Sequence, residues 1–118
     1  MRILVIDDNK YTATKLAEAL AEIGEVEVCS AEPFNPMPPK DQVIASIGKA
    51  DLVLLDGKIG PEYDGPDLFP HCSSKKVLGI STRFNFGEHN WHGKERLAEG
   101  RVDAVESLRK KVREMLAQ

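Results

Sequence analysis

An apolar run that ends abruptly in two carboxylates opens the chain, in Arg2-Ile-Leu-Val-Ile-Asp-Asp-Asn9. A short run of β-branched and aliphatic residues is typical of a strand buried on both faces, as in parallel sheets. The pattern returns in Asp51-Leu-Val-Leu-Leu-Asp56 and in Lys76-Val-Leu-Gly-Ile-Ser81. Each predicted strand therefore ends in polar side chains, which are Asp7 and Asp8, Asp56, and Ser81.

Helical periodicity separates these strands. Asn9 is a good N-cap, and apolar residues recur after it at helical spacing, as they do over residues 40–49 and 102–116. Residues 26–29 predict another strand and residues 66–73 a short helix, whereas the prolines within 33–39 exclude regular structure there. Alternating strands and helices predict an α/β fold with a doubly wound parallel sheet.

Length and composition limit the possible functions. The 118 residues suit a single domain, 1–118, and the net charge of −3 argues against a nucleic-acid partner. No apolar run approaches the roughly 20 residues of a membrane span, and two aspartates follow the first one. Cys29 and Cys72 form no disulfide framework. We therefore expect a cytoplasmic protein that binds neither membrane nor nucleic acid.

The polar strand ends predict a shared site. In open α/β sheets, ligands bind at the carboxyl ends of the strands, where Asp7, Asp8, Asp56 and Ser81 would converge. Three carboxylates repel one another unless a cation lies among them, and hard oxygen ligands suit Mg²⁺. A carboxylate beside such a cation is a possible phosphoryl acceptor. Each aspartate could instead cap a strand or helix, but the combination favours a common site.

These motifs, in this order, resemble the response-regulator receiver domain of two-component signalling. Residues 4–9 resemble its first strand and acidic pair, and residues 51–56 its third strand and phospho-acceptor. Asp64-Gly65-Pro66 resembles its turn into the third helix, and residues 77–81 its fourth strand with a terminal hydroxyl. The resemblance covers residues 2–82 and implies a five-stranded sheet in the order 2-1-3-4-5.

The resemblance also implies roles for single residues. Asp56 would accept a phosphoryl group from a phosphohistidine on a histidine kinase or phosphotransfer protein, and Ser81 would hydrogen-bond that group. Lys58 and Arg83 occupy the flanking positions that influence how fast water removes it. The implied ligands of Mg²⁺ are Asp7, Asp8, Asp56 and the backbone carbonyl of Lys58.

The pattern breaks after residue 82, where the family carries a strand-five lysine usually followed by proline. In one alignment residues 90–94 form strand five, Lys94 is that lysine, and Trp91 is the aromatic residue that switches together with Ser81. Helix four is then shortened or absent. Glu95 stands where the proline is expected.

In a second alignment residues 93–99 form helix four and residues 101–105 form strand five. No lysine then stands at the expected position, and the helical period over 102–116 argues against this choice. Phe84, Phe86 and Trp91 would either form an exposed patch or cover a core left open by a short helix four. His89 and His92 fit a polar loop better than a metal site.

Three functions follow from these observations. The leading hypothesis is a stand-alone phosphorylatable receiver, not an enzyme beyond self-phosphorylation and self-dephosphorylation, that signals by binding an unknown protein. We expect it to stay monomeric, because a short helix four removes part of a dimer face. The alternatives are a non-phosphorylated pseudo-receiver that serves as an interaction module, and a ligand-binding flavodoxin-like domain, in which Asp7 and Asp8 would repel an anion.

Overall fold

A computed structural model describes residues 1–32, 36–83 and 85–118, in which a parallel sheet lies between helices. The strands are β1 (Arg2–Asn9), β2 (Glu25–Ala31), β3 (Leu52–Leu55) and β4 (Lys76–Gly79), in the spatial order β2-β1-β3-β4. The helices are α1 (Lys10–Leu20), α2 (Lys40–Lys49), α3 (Gly65–Leu68), α4 (Lys94–Ala98) and α5 (Val102–Leu116), and a 3₁₀ turn at Phe69–Cys72 follows α3. The predicted α/β fold is confirmed. Within the described residues, no helix is long and apolar enough to cross a membrane.

One face of the sheet packs against α1 and α5. Successive strand side chains point to opposite faces, so Ile3 and Val5 of β1 face this layer together with Leu54 of β3. Leu16 of α1 and Leu108 of α5 close over them, fully buried. The helical periodicity seen in the sequence therefore marks the residues that cover the sheet.

The opposite face packs against α2 and α3. Leu4 and Ile6 of β1 contact this second layer, which also contains both cysteines. Cys29 and Cys72 are buried free thiols, and burial raises the pKa of each to about 11. Both faces of β1 are thus covered, as its continuous apolar run predicted.

Two helix predictions agree closely with the structure. Asn9 caps α1, since its side-chain oxygen accepts a hydrogen bond from the Thr12 amide at 3.0 Å. Helices α2 and α5 cover the ranges predicted from periodicity. The predicted helix over 66–73 is divided into α3 and a 3₁₀ turn, where Pro70 removes a backbone donor.

In the described residues, no fifth strand is present at either of the positions that the two alignments predict. Only an isolated parallel bridge joins Gly79 to Asn90, in place of the fifth strand expected over 90–94. Gly93 (φ −92°, ψ 9°) has already left the extended conformation, and α4 begins at the next residue. Residues 101–105, the strand of the second alignment, lie largely within α5. In the described part of 82–89 there is no helix, so helix four is absent where the first alignment allowed a shortened one, whereas α4 covers most of the 93–99 helix of the second alignment.

Aromatic side chains occupy part of the space that a fourth helix would cover. Phe86 is buried in the second layer, and its ring centroid lies 5.4 Å from that of Phe69. Asn90 holds the loop, because its side-chain oxygen accepts from the Phe86 amide at 2.7 Å. Phe86 and Trp91 thus cover the core. Phe84 and residues 33–35 of the proline-containing segment lie outside the described residues.

Candidate functional site

The strand register brings the predicted site residues to one edge of the sheet. The Asp56 amide donates to the Ile6 carbonyl, and the Ile80 amide donates to the Leu55 carbonyl, both at 3.0 Å. These bonds align the carboxyl ends of β1, β3 and β4, so the residues at those three strand ends lie side by side. They include Asp7, Asp56 and Ser81, which the sequence placed together.

Three carboxylates lie close together at this edge. One oxygen each of Asp7, Asp8 and Asp56 falls within 4.8 Å of the others. Asp7 is fully buried and Asp56 is 7% exposed, while Asp8 is more open to solvent. The β1–β2 register shifts between Ile6 and Asn9, and such a bulge lets both neighbouring aspartates turn toward one site.

Lys94 reaches this cluster from the distant C-terminal part of the chain. Its Nζ lies 3.2 Å from Asp7 Oδ2 and 3.1 Å from Asp56 Oδ2. The lysine side chain is 15% exposed, so both ion pairs are largely shielded from water. The lysine of the first alignment is thus adjacent to the acids, although it begins a helix instead of ending a strand.

Burial and neighbouring charges act together on the pKa values of Asp7 and Lys94. Burial raises the pKa of Asp7 to about 6, assisted by the charge of Asp56 and opposed by the Asn9 amide and the Lys94 ammonium. Burial acts to lower the pKa of Lys94, but the two carboxylates outweigh it and raise that pKa. The lysine therefore remains charged beside the two acids.

A shallow cleft opens over these groups. Within it, Asp56 Oδ1 accepts from the Gly57 amide at 2.8 Å, which fixes the carboxylate plane. Ser81 is 4% exposed, and its Oγ accepts from the Arg83 amide at 3.1 Å. The residues that line the cleft are Asp8, Asp56, Lys58, Ser81, Thr82, Arg83 and Lys94.

The donor set fits a hard divalent cation. Three carboxylate oxygens can approach one point, and Asp8 gives that point access to water, which suits the preference of Mg²⁺ for few carboxylates and several waters. The Lys94 ammonium lies beside two of the three acids, Asp7 and Asp56. The backbone carbonyl of Lys58, the fourth predicted ligand, remains a prediction.

Trp91, the predicted switch aromatic, lies in the layer between the sheet and α5. It is 6% exposed, and its Nε1–H donates to Ser107 Oγ at 3.0 Å. Gly93 must be small, because a Cβ there would come within 2.4 Å of the Trp91 ring. Trp91 therefore connects the segment before Lys94 to α5.

Two contacts around this site, made by His92 and by Ser107, were not predicted from the sequence. His92 Nδ1 lies 3.0 Å from the backbone carbonyl oxygen of Ser81. Its position two residues before Lys94 is the only sequence signal that could have suggested the contact. The link to Ser107 carried no such signal.

Sequence comparison does not place the chain in a group of relatives. No family model matches it. No curated protein matches it either. The likeness to known proteins is structural.

Solved structures of receiver domains are similar to the chain over nearly its whole length. The BeF₃-activated receiver domain of DrrB has a TM-score of 0.67 at 17% identity, covering 99% of this chain and 97% of that one. The signal receiver domain of a modulated diguanylate cyclase from Desulfovibrio desulfuricans, described as an example of alternate folding, gives 0.62 at 14% identity, covering 98% and 93%. The response regulatory domain of mrkE from Klebsiella pneumoniae gives 0.58 at 16% identity, covering 100% of both. The chain therefore has the fold of response-regulator receiver domains.

Proposed function

We propose that this chain is a signalling receiver that accepts a phosphoryl group on Asp56. One observation carries the proposal: the Lys94 ammonium lies 3.1 Å from Asp56 and 3.2 Å from Asp7, at the edge that also holds Ser81. A cation, a carboxylate acceptor and a hydroxyl donor on one cleft are the groups that phosphoryl transfer requires. The receiver fold supports the same conclusion.

In the proposed reaction, an Asp56 carboxylate oxygen attacks the phosphorus of a phosphohistidine on a kinase or phosphotransfer protein. The new O–P bond forms as the P–N bond breaks, and the electron pair returns to the leaving imidazole. The Gly57 amide fixes the carboxylate orientation, which favours an in-line approach. The Lys94 ammonium compensates the charge that develops on the phosphoryl oxygens, and the Ser81 hydroxyl donates to one of them.

Asp7, Asp8, Asp56 and the Lys58 backbone carbonyl would hold Mg²⁺. When bound, the ion would supply positive charge next to both the carboxylates and the phosphoryl oxygens. The grouping of the three carboxylates supports this assignment, because one oxygen of each lies within 4.8 Å of the others. Exposed Lys58 and Arg83 flank the cleft and would tune how fast water reaches the phosphoryl group.

The proposed function also includes a cellular location, a type of partner and an oligomeric state. Residues 1–118 would act as a single cytoplasmic domain whose output is the binding of a downstream protein, without a nucleic-acid or membrane partner. We propose that it stays monomeric when phosphorylated, since the described part of 82–89 has no helix from which to build a dimer face. Ser81 and Trp91 would form the switch, through movement of the segment that carries Trp91 and Lys94.

The test is incubation with acetyl phosphate and Mg²⁺ followed by intact-mass measurement. The wild-type chain is expected to gain the mass of one phosphoryl group, and Asp56→Asn is expected to gain none. Asp51→Asn is the matched control: Asp51 lies at the other end of the same strand, and the variant keeps an oxygen for the Arg2 amide. Equal labelling of Asp56→Asn and wild type would contradict the assignment.

A pseudo-receiver is the second candidate, and one contact favours it. The Lys94 ammonium already pairs with two of the three acids, so the cluster is partly compensated without a metal ion. In that case the chain would take no label and would show no thermal response to Mg²⁺. The mass measurement therefore separates the two functions.

A further inference from the structure

The edge of β4 beyond Gly79 shows where the backbone ladder stops. Gly79 donates to the His89 carbonyl and accepts from the Trp91 amide, both at 2.9 Å. Donors and acceptors on one edge of a strand recur every two residues, so the next acceptor on this edge is the Ser81 carbonyl. Gly93 would carry the next donor, but its ψ of 9° is not that of a strand.

The His92 side chain reaches that acceptor. Its Nδ1 lies 3.0 Å from the Ser81 carbonyl oxygen. A carbonyl oxygen can only accept, so Nδ1 must carry the proton in this contact. An imidazole N–H therefore continues the hydrogen bonding of the sheet edge at the point where the backbone turns into α4.

The contact bears directly on the candidate site. The carbonyl that His92 holds and the hydroxyl that faces the cleft belong to the same residue, Ser81. Ser81 lies beyond the last β4 residue, Gly79, and one residue past the Ile80–Leu55 backbone bond, so the His92 contact holds its backbone at the end of the ladder. Displacement of a site group by a fraction of an ångström is enough to slow a reaction that depends on positioning.

We propose that His92 is a positioning residue: its Nδ1–H holds the Ser81 carbonyl and so aims the Ser81 hydroxyl at the phosphoryl group. The proposal rests on the proposed function, since it assigns His92 a part in the same reaction. His92 itself touches neither Asp56 nor the transferred group. Trp91, one residue before it, bonds to α5, and Lys94, two residues after it, pairs with the acids, so this segment connects α5, the end of β4 and the acids.

The experiment measures the rate of labelling by acetyl phosphate with Mg²⁺, together with the thermal unfolding midpoint. His92→Ala removes the donor, whereas His92→Asn places an amide nitrogen near the position of Nδ1. His89→Ala is the matched control, because His89 contributes its backbone carbonyl to the ladder and the variant keeps that group. All rates are taken well below the unfolding midpoint of the least stable variant.

His92→Ala is expected to slow labelling about threefold or more, in keeping with the loss of one hydrogen bond. The labelling rate of His92→Asn is expected to stay within about twofold of the wild-type rate. The rate of His89→Ala is expected to equal the wild-type rate. An unchanged rate in His92→Ala, or a loss in His92→Asn as large as in His92→Ala, overturns the inference while leaving the proposed function intact. A wild-type chain that takes no label overturns the proposed function, and the inference fails with it.

Discussion

The sheet up to β4 and the segment from Ser81 to Gly100 are built by different means. In the first region, four parallel strands pair through backbone ladders, which one register shift in β1 interrupts, and both faces are buried. In the second, one bridge at Asn90 is supplemented by side-chain bonds from Asn90, Trp91, His92 and Lys94. A regular scaffold thus positions the acids, and individual side chains attach the lysine to them.

Removing the Lys94 ammonium, which links the two regions, should have the largest effect on the free energy of unfolding. Lys94→Met keeps the length of the side chain but leaves Asp7 and Asp56 without their cation. Removing one partner of a buried ion pair costs about 3 kcal/mol or more, so we expect a loss of roughly that size in the free energy of unfolding. Urea denaturation measures it. Lys110→Met, a change at an exposed lysine of α5, is the control, and equal losses in the two variants would contradict the contrast.

Loading the acids with metal should stabilise the first region. A ligand that binds only the native state adds about 2.7 kcal/mol at a hundredfold excess over its Kd. Millimolar Mg²⁺ should therefore raise the melting temperature of the wild-type chain, and Asp8→Ala should remove the response. Na⁺ at equal ionic strength is the control. A melting temperature that does not change over the titration would favour the pseudo-receiver.

The contact between the regions near α3 can be disturbed sterically. A Cβ at Gly65 would lie 2.2 Å from the Asp56 backbone oxygen and 2.8 Å from the Phe86 ring. Since the backbone oxygen cannot yield cheaply, Gly65→Ala should lower the free energy of unfolding by about 2 kcal/mol. In contrast, nothing lies within 4 Å of a Cβ at Gly48 of α2, so Gly48→Ala should stabilise by up to about 1 kcal/mol. Two equal losses would show that the crowding at Gly65 is not the cause.

The link from Trp91 to α5 should have the smallest effect on stability. Ser107→Ala removes the acceptor for Trp91 Nε1–H and should cost about 1 kcal/mol. The same variant should reduce the change in Trp91 emission that beryllofluoride and Mg²⁺ induce in the wild type, while light scattering reports a monomer. If the emission of Trp91 in the wild type does not change, α5 is not coupled to the switch. A dimer in light scattering would contradict the expected monomer.

The first region could be predicted from sequence because its signals are local. The apolar runs of β1 and β3 identified buried strands, and the polar residues after them identified the site edge. The ranges of α2 and α5 could be predicted because the apolar residues of each helix recur at helical spacing along one face. These features need no knowledge of distant contacts.

The second region resisted prediction because its structure depends on contacts between residues far apart in sequence. Asn90 can approach β4 only because Gly79 has no side chain: a Cβ there would lie 2.2 Å from Asn90 Oδ1. Residues 90–94 form no apolar run, so nothing local indicates the bridge, although the second alignment did place a helix over 93–99. The family spacing suggested Lys94 but not the His92 bond, which depends on where the ladder stops.

The most direct measurement locates the phosphoryl group on the chain. Borohydride reduces an aspartyl phosphate to homoserine, so labelled protein can be reduced, digested with trypsin and sequenced by mass spectrometry. Residues 50–58 form one tryptic peptide that holds both Asp51 and Asp56, and residues 3–10 form another with Asp7 and Asp8. The account predicts homoserine at position 56 alone. Homoserine at position 7, 8 or 51, or no conversion at all, would contradict it.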